Sequence, residues 1–378
     1  MFVLRSSLRL SLLAGMLAAV FVASGCGVHD GGVAGNGTSL LPAARSRASS
    51  ETSILNQLNT QAVIGSTVDP VNGAQNPYGL AVAPATAGAM TAGDLVVCNF
   101  NAEGNTQGSG RSIVVLHPAP GAKPQHLIAN HSILGCDALA LAPDDTIWAA
   151  AMVGNDDAIV SSSGHHLFAY TGKPFNQPWG QVYAAPPSGT PAFYESDAAT
   201  GRIARISLGS PPKIDVIAGN FPRNRGVPGS VLAPSGLAYD PAIDTLYFAD
   251  GQNNTVVAFK NVSTFPKYGV VAKNHGMQFS GPSAADARIV YSGSPLNGPI
   301  STALLPNGNL IVGNTLDPNG TNLLVELSTS SGQVLATRNV DTGAAGALFG
   351  IAITGASSSD TKIYFNDDNA NNVQVLEH

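Results

Sequence analysis

Reactive side chains are few in this sequence, and their types and spacing limit the chemistry open to it. Histidine most readily moves protons near neutral pH or binds a metal. The candidates are His117, His126, His131, His165, His166 and His275. None of them forms a tight sequence cluster with carboxylates. His165 and His166 are adjacent, so in a strand they point to opposite faces and cannot act as joint ligands. There are five glutamates, Glu51, Glu103, Glu195, Glu326 and Glu377, far apart along the chain. No G-x-S-x-G nucleophile elbow occurs, "GSGRS" at 108–112 reads as a hairpin loop, and "GNGTS" precedes no helix that would hold a phosphate. Spatial constellations need not be local in sequence, so these absences lower the case for catalysis without removing it.

The elements that must position these groups come from the composition. Only 11% of the 378 residues are charged, while 42 are Gly and 25 are Pro, a balance that favours many short strands over charged surface helices. The formal net charge is −6, Lys and Arg total 18, and no basic run exists, which argues against a nucleic-acid partner.

A search for internal similarity finds six openings of one kind: "PYGLAVAP" from Pro77, "CDALALAP" from Cys136, "PWGQVYAAP" from Pro178, "PSGLAYDP" from Pro234, "PISTALLP" from Pro299 and "LFGIAIT" from Leu348. They start 59, 42, 56, 65 and 49 residues apart. A second strand follows each, as "DLVVCN", "TIWAAA", "FYESD", "TLYFAD", "NLIVGN" and "KIYFND". Third strands read as "RSIVVLH", "HHLFAY", "RIARIS", "TVVAFK", "NLLVEL" and "NVQVLE", and fourth strands as "KPQHLIAN", "KIDVIAGN", "YGVVAKN" and "QVLATRN". Unit two shows no fourth strand, and unit six ends after its third. Units too small to bury their own apolar faces pack in a ring, so the expected fold is an all-β, six-bladed β-propeller. Its missing outer strand is expected from "TQAVIGSTV", just before unit one, which closes the ring and removes two exposed edges. A seventh blade would have to hide between Asn261 and Asn297, where alternation is too weak.

This layout gives the remaining residues places. The second strands end in Asn99, Ala151, Asp197, Asp250, Asn314 and Asp367, whose short side chains suit a turn-locking role. Second in each innermost strand come Tyr78, Asp137, Trp179, Ser235, Ile300 and Phe349, expected around the channel mouth. There they either plug the axis or line a pocket for a planar or amphipathic ligand. Cys98 ends a second strand and Cys136 begins the next innermost one. Antiparallel neighbours bring those ends to one face, so either a disulfide or two buried thiols is expected. The stretch 273–299 is the longest connection and is expected to fold over one face.

"VIAGNFPRNRGVPGSVLAPSGLAYD" at 216–240, followed by "TLYFADGQNNTVVAF", resembles the NHL-repeat family of β-propellers, with a weaker echo in "VIGSTVDPVNGAQNPYGLAV" at 63–82. The resemblance, NHL/TolB-like, is clear in unit four, fair in units one and six and faint elsewhere. It implies the fold and hardly the function, since such propellers serve enzymes and binding proteins alike. Related lactonases hold a divalent metal on a channel set of Glu, Asn and Asp. Here no Glu starts an innermost strand, and Asp137 alone would under-coordinate a cation. A streptogramin-lyase-like enzyme would need a catalytic His with a nearby acid, and a peptide-amidating lyase several channel histidines. The expectation is therefore no metal, no cofactor and no catalytic set.

Residues 1–26 read as a signal peptide: Arg5 and Arg9, then "LSLLAGMLAAVFVA", too short for a comfortable span, then "ASGC". "VASGC" resembles a bacterial lipobox, which implies lipidation at Cys26, with plain secretion as the alternative. Residues 27–59 read as a flexible tether and 60–378 as the propeller. The expected whole is an exported lipoprotein of the cell envelope, on the periplasmic face or the cell surface. It would touch the membrane through its lipid only and bind an unknown protein or small-molecule partner. A metal-dependent lactonase, hydrolase or lyase is the competing class.

Overall fold

Short apolar runs punctuated by Gly, Pro, Asn and Asp bury themselves only by pairing side by side, and here they form six small sheets. The computed structural model describes residues 52–209, 211–223, 233–315 and 322–378, within one of the chain's two units, Ser39–His378. The expected signal peptide, Cys26 and most of the expected tether lie outside the described residues.

Blade one is built from Gln75–Val82, Leu95–Asn101, Ser112–Leu116 and Gln125–Ala129, and blade two from Cys136–Leu141, Ile147–Ala151, Asp156–Val160 and His166–Thr171. Blade three uses Pro178–Ala184, Ala192–Asp197, Arg202–Ser207 and Lys213–Gly219, and blade four Pro234–Asp240, Thr245–Asp250, Thr255–Lys260 and Ala287–Ser292. Blade five holds Pro299–Leu304, Leu310–Asn314, Asn322–Leu327 and Val334–Asp341, and blade six Leu348–Thr354, Lys362–Asp367 and Asn372–Glu377. The outer strand of blade six is Thr60–Ser66, antiparallel to Asn372–Glu377, so the N-terminal strand closes the ring as expected. Each innermost strand touches the innermost strands of both neighbouring blades, and the six sheets form a six-bladed β-propeller.

Three expectations are corrected. In blade two "HHLFAY" contributes the outer strand, and the third is Asp156–Val160, a segment that the repeat pattern does not assign. In blade four the outer strand is Ala287–Ser292, not "YGVVAKN". Val270–Lys273 instead pairs parallel with Lys213–Gly219, and with Gln278–Ser280 it widens blade three to six strands. The stretch 273–299 therefore supplies the edge strand Gln278–Ser280 of blade three and the outer strand Ala287–Ser292 of blade four, joined by short turns, rather than one loop over a face.

The tether's expected end is also part of the packing. Ile54, Leu55 and Leu58 are buried between blades five and six. The buried Glu326 accepts hydrogen bonds from Ser53 Oγ at 2.7 Å, Leu55 N at 2.8 Å, Ile54 N at 3.2 Å and Asn309 Nδ2 at 2.9 Å. A carboxylate so surrounded by donors can be buried without a cation.

Apolar clusters fill each gap between successive blades, and one more sits at the hub. At the top of those gaps the chain makes a repeated clasp. The N–H just before an innermost strand donates to an Asn side chain of the preceding blade: Gln177 to Asn155 at 2.8 Å, Gly298 to Asn254 at 2.7 Å, Ala347 to Asn322 at 3.0 Å and Asn76 to Asn371 at 2.7 Å. Asn155, Asn254 and Asn371 hold the left-handed conformation, with φ of 55°, 51° and 50°, which Asn tolerates better than most residues. The junction of blades one and two carries the Cys98–Cys136 disulfide. At the junction of blades three and four, Ser196 Oγ donates to Ser235 O at 2.9 Å. Asn254→Ala leaves the Gly298 N–H without its partner, and the expected loss is about 1–3 kcal/mol. Urea unfolding with an unchanged m-value checks it, and an unchanged midpoint would refute the clasp.

Candidate ligand-binding channel

Counted from the residue that opens each repeat (Pro77, Cys136, Pro178, Pro234, Pro299 and Leu348), every innermost strand has a register irregularity within its first four residues, where it pairs with the second strand. Such bulges re-aim side chains, and here they turn the second residue of each strand toward the axis. Tyr78, Asp137, Trp179, Ile300 and Phe349 line one small cavity of about 70 Å³ on that axis. Ser235 is buried at the same level, its Oγ donating to Ala249 O and Pro299 O, each at 3.4 Å.

The third residue of each strand forms the neck: Gly79, Ala138, Gly180, Gly236, Ser301 and Gly350. A Cβ on Gly180 would lie 2.2 Å from Ser235 O, on Gly236 2.5 Å from Ser301 Cα, and on Gly350 2.5 Å from Tyr78 O. The recurrent Pro-x-Gly opening is therefore a spacing requirement between blades. The fourth residues, Leu80, Leu139, Gln181, Leu237, Thr302 and Ile351, make a collar that borders both the small cavity and a wider one of about 300 Å³. The wider part is walled by the later residues of the same strands, including the half-buried Val182, Tyr183, Leu304 and Ile353.

The aromatic end is packed. The Tyr78 ring lies between Phe349, with centroids 3.6 Å apart and planes 11° apart, and Phe100, at 4.2 Å and 9°. Both of its faces are covered, and Tyr78 and Trp179 are 3% and 4% exposed. Met152, Ala198, Ala233 and Ile300 complete this plug. Five of the six mouth residues thus border the cavity while Ser235 does not, the aromatic members form a plug, and the roomier end of the channel is the opposite one.

Behind the collar, polar groups replace apolar ones between blades two and three. Glu195 stands opposite Gln181 in register, at a position held by Val97, Ala149, Phe248, Val312 and Phe365 in the other second strands. Gln181 Nε2 donates to Asp157 Oδ1 at 2.8 Å. Asp157 Oδ2, both oxygens of Glu195, both oxygens of Asp137, Gln181 Oε1 and Ser301 Oγ are buried and have no hydrogen-bond partner. Desolvation pushes the Asp137 carboxyl well above the usual range, and its own amide and that of Ala138, near it but outside good hydrogen-bonding geometry, offset only part of this. Asp157 is pushed up to about 8 by burial, against the Gln181 hydrogen bond. Glu195 is raised well above its ordinary value by burial first, then by the charges of Asp157, Asp197 and Asp137. Repeat positions at which one unit turns polar were the available signal for Glu195 and Gln181. Asp157 was hidden by the shifted strand assignment of blade two.

The histidines lie elsewhere. His117 Nδ1 pairs with Asp94 at 3.0 Å and His126 Nδ1 with the buried Asp69 at 2.8 Å, while none of the six lines the channel. Asp197, Asp250 and Asp367 lock turns, accepting from the backbone N–H of Thr200, Gln252 and Ala370 at 3.0, 3.0 and 3.2 Å. Asn99 and Asn314 instead donate to the carbonyls of Thr67 and Pro295, at 2.9 and 2.6 Å. Among the described residues no three or more His, Cys, Asp or Glu are arranged to hold a metal ion.

No family model matches the chain, and no curated protein matches it. Solved structures with the same ring include a gluconolactonase from Xanthomonas campestris, 15% identical over 80% of this chain and 86% of that one, with a TM-score of 0.54. A chain of the nidogen/laminin complex is 13% identical over 75% and 87%, with a TM-score of 0.53. Virginiamycin B lyase from Staphylococcus aureus is 17% identical over 84% and 85%, with a TM-score of 0.50. At these identities what is shared is the propeller.

The raised carboxyls set a pH dependence. Unfolded Asp and Glu titrate near pH 4, whereas folded Asp157 holds its proton to about 8. Their contribution to stability is present at low pH and lost as pH rises through the folded value. The loss begins above the unfolded value and is complete near the folded one, so the melting temperature is expected to fall by several degrees between about pH 5 and pH 8, and less in Glu195→Gln. A flat profile in that window would contradict the assignment.

Proposed function

We propose that the protein is an exported, lipid-anchored propeller that binds a small ligand within its channel, entered from the face opposite the aromatic plug. The observation that supports this most is the pairing of an apolar collar with unpartnered polar atoms beyond it, at Asp137, Gln181 and Ser301. Buried polar groups without partners oppose folding, and they are retained where a ligand can complete them. Tyr78, Trp179, Ile300, Ser235 and Phe349 then form the floor against which the ligand rests. Export and attachment at Cys26 rest on the basic start, the short apolar stretch and "VASGC".

The rim residue Ile353 allows a test that spares the hub. Ile353→Trp narrows the wide end, so amphipathic small molecules that raise the melting temperature of the wild type by several degrees are expected to lose that effect. Thermal shift with such a panel reads it out, and stabilisers that act equally on the variant would contradict a channel site. In cells, Cys26→Ser is expected to move the protein from the membrane fraction to the soluble exported fraction, and unchanged partition would contradict the anchor.

A further inference from the structure

We infer that the channel takes an amphipathic primary amine, its ammonium group beside Asp137 and Ser301 and its hydrocarbon body within the collar of Leu80, Leu139, Leu237 and Ile351. This rests on the channel-binding reading above.

The small cavity presents a particular inventory. Asp137 is 6% exposed, Gln181 7% and Ser301 5%, and all three line it. The two Asp137 oxygens and Ser301 Oγ have no hydrogen-bond partner of ordinary distance and angle, while the Gln181 amide is turned to Asp157 behind the collar. Carboxylate and amide oxygens only accept, and a hydroxyl oxygen accepts as readily as its proton donates. The lining contains no Lys, Arg or His. Unpaired acceptors call for a ligand rich in donors, and an ammonium group offers three N–H donors with no acceptor. A neutral alcohol supplies one donor and leaves the other acceptors unpaired, a penalty that buried sites impose strongly. A carboxylate brings no donor to these acceptors, and Asp137 could not ionise beside it without setting like charges together.

Size and surroundings agree. A cavity of about 70 Å³ holds a head group of a few atoms, and a single water needs about 10–15 Å³ of such space. The collar then narrows around four apolar side chains before the wide part opens, which suits an unbranched or aromatic hydrocarbon body. Thr302 Oγ1 is already used, donating to Gly236 O at 3.0 Å, and so does not compete for the head group. Burial favours the neutral acid at Asp137 in the empty channel, and an arriving ammonium favours the carboxylate. Binding therefore converts a carboxylic acid and an alkylammonium into an ion pair and one released proton.

Isothermal titration of the full-length chain with hexylammonium, hexan-1-ol and hexanoate at neutral pH tests this. Hexylammonium is expected to bind about tenfold or more tighter than hexan-1-ol, with hexanoate silent. Titration in buffers of different ionisation enthalpy is expected to show release of about one proton. Asp137→Asn is expected to weaken the amine about tenfold or more while leaving the alcohol within about threefold, and Ser301→Ala to weaken the amine severalfold. Should Asp137→Asn fail to fold, Ser301→Ala and the probe series decide. Alcohol binding as tight as amine binding, or amine binding untouched by both substitutions, overturns the inference. If hexan-1-ol then loses its binding in Ile353→Trp, the channel reading stands and the ammonium inference alone fails. If no probe binds, or binding survives Ile353→Trp, both fail.

Discussion

The close approach of the innermost strands at the hub is the constraint on which the rest of this structure depends. Where a blade's third residue abuts the next blade's backbone, a Cβ on Gly180, Gly236 or Gly350 would meet an atom at 2.5 Å or less. Once glycine, alanine or serine allows that approach, the blades are fixed by short directional bonds just outside the neck. Asn155, Asn254, Asn322 and Asn371 each receive an N–H from the next blade, and Asn366 Nδ2 also reaches Tyr78 O at 3.0 Å. The two junctions without such an Asn clasp carry the Cys98–Cys136 disulfide and the Ser196 bond. Four Asn clasps, one serine bond and one disulfide around a narrow neck bring the second residues of five of the six strands around one axial cavity. The channel's chemistry is a consequence of how the ring is joined.

Against that background the junction of blades two and three is unusual. Every gap between blades holds an apolar cluster, and at this one Asp157, Gln181 and Glu195 intrude beside it with carboxyl oxygens left unpartnered, whereas the buried Glu326 elsewhere is surrounded by donors. Desolvation of carboxyls is unfavourable, and two of these escape part of it by keeping their protons. A sequence that is otherwise consistent with its fold breaks that consistency where the channel wall is most buried. Departures of this kind concentrate at functional sites. Tyr78 and Phe349, by contrast, serve the fold, since their ring faces are spent on one another and on Phe100.

The ring was legible in the sequence because each blade repeats the same physical problem, an apolar pair of strands ended by a turn. The closing strand before unit one could be inferred because unit six visibly lacked a partner, and the nearness of Cys98 to Cys136 followed from antiparallel neighbours. What escaped was set by tertiary context. The repeat pattern misses the strand Asp156–Val160 because it opens on two acidic residues and its pairing is supplied by Ile147–Ala151 and His166–Thr171. "YGVVAKN" alternates as an outer strand should, yet it joins a different blade through a parallel contact that no local pattern announces. Five of the six mouth residues border the axial cavity, but which end of the channel stays open depends on ring stacking, which spacing alone does not encode. Ser53–Leu58 looked like tether because its anchor, Glu326, is 271 or more residues away.

The account's central claim is that the channel, entered from its apolar end, completes a set of buried acceptors with a ligand's donors. A crystal structure of the protein soaked with hexylammonium tests this most directly. The account predicts the nitrogen within about 3 Å of an Asp137 oxygen, the chain between Leu139, Leu237 and Ile351, and the Tyr78–Phe349 stack undisturbed. Density elsewhere, or a ligand admitted by displacing that stack, would contradict it.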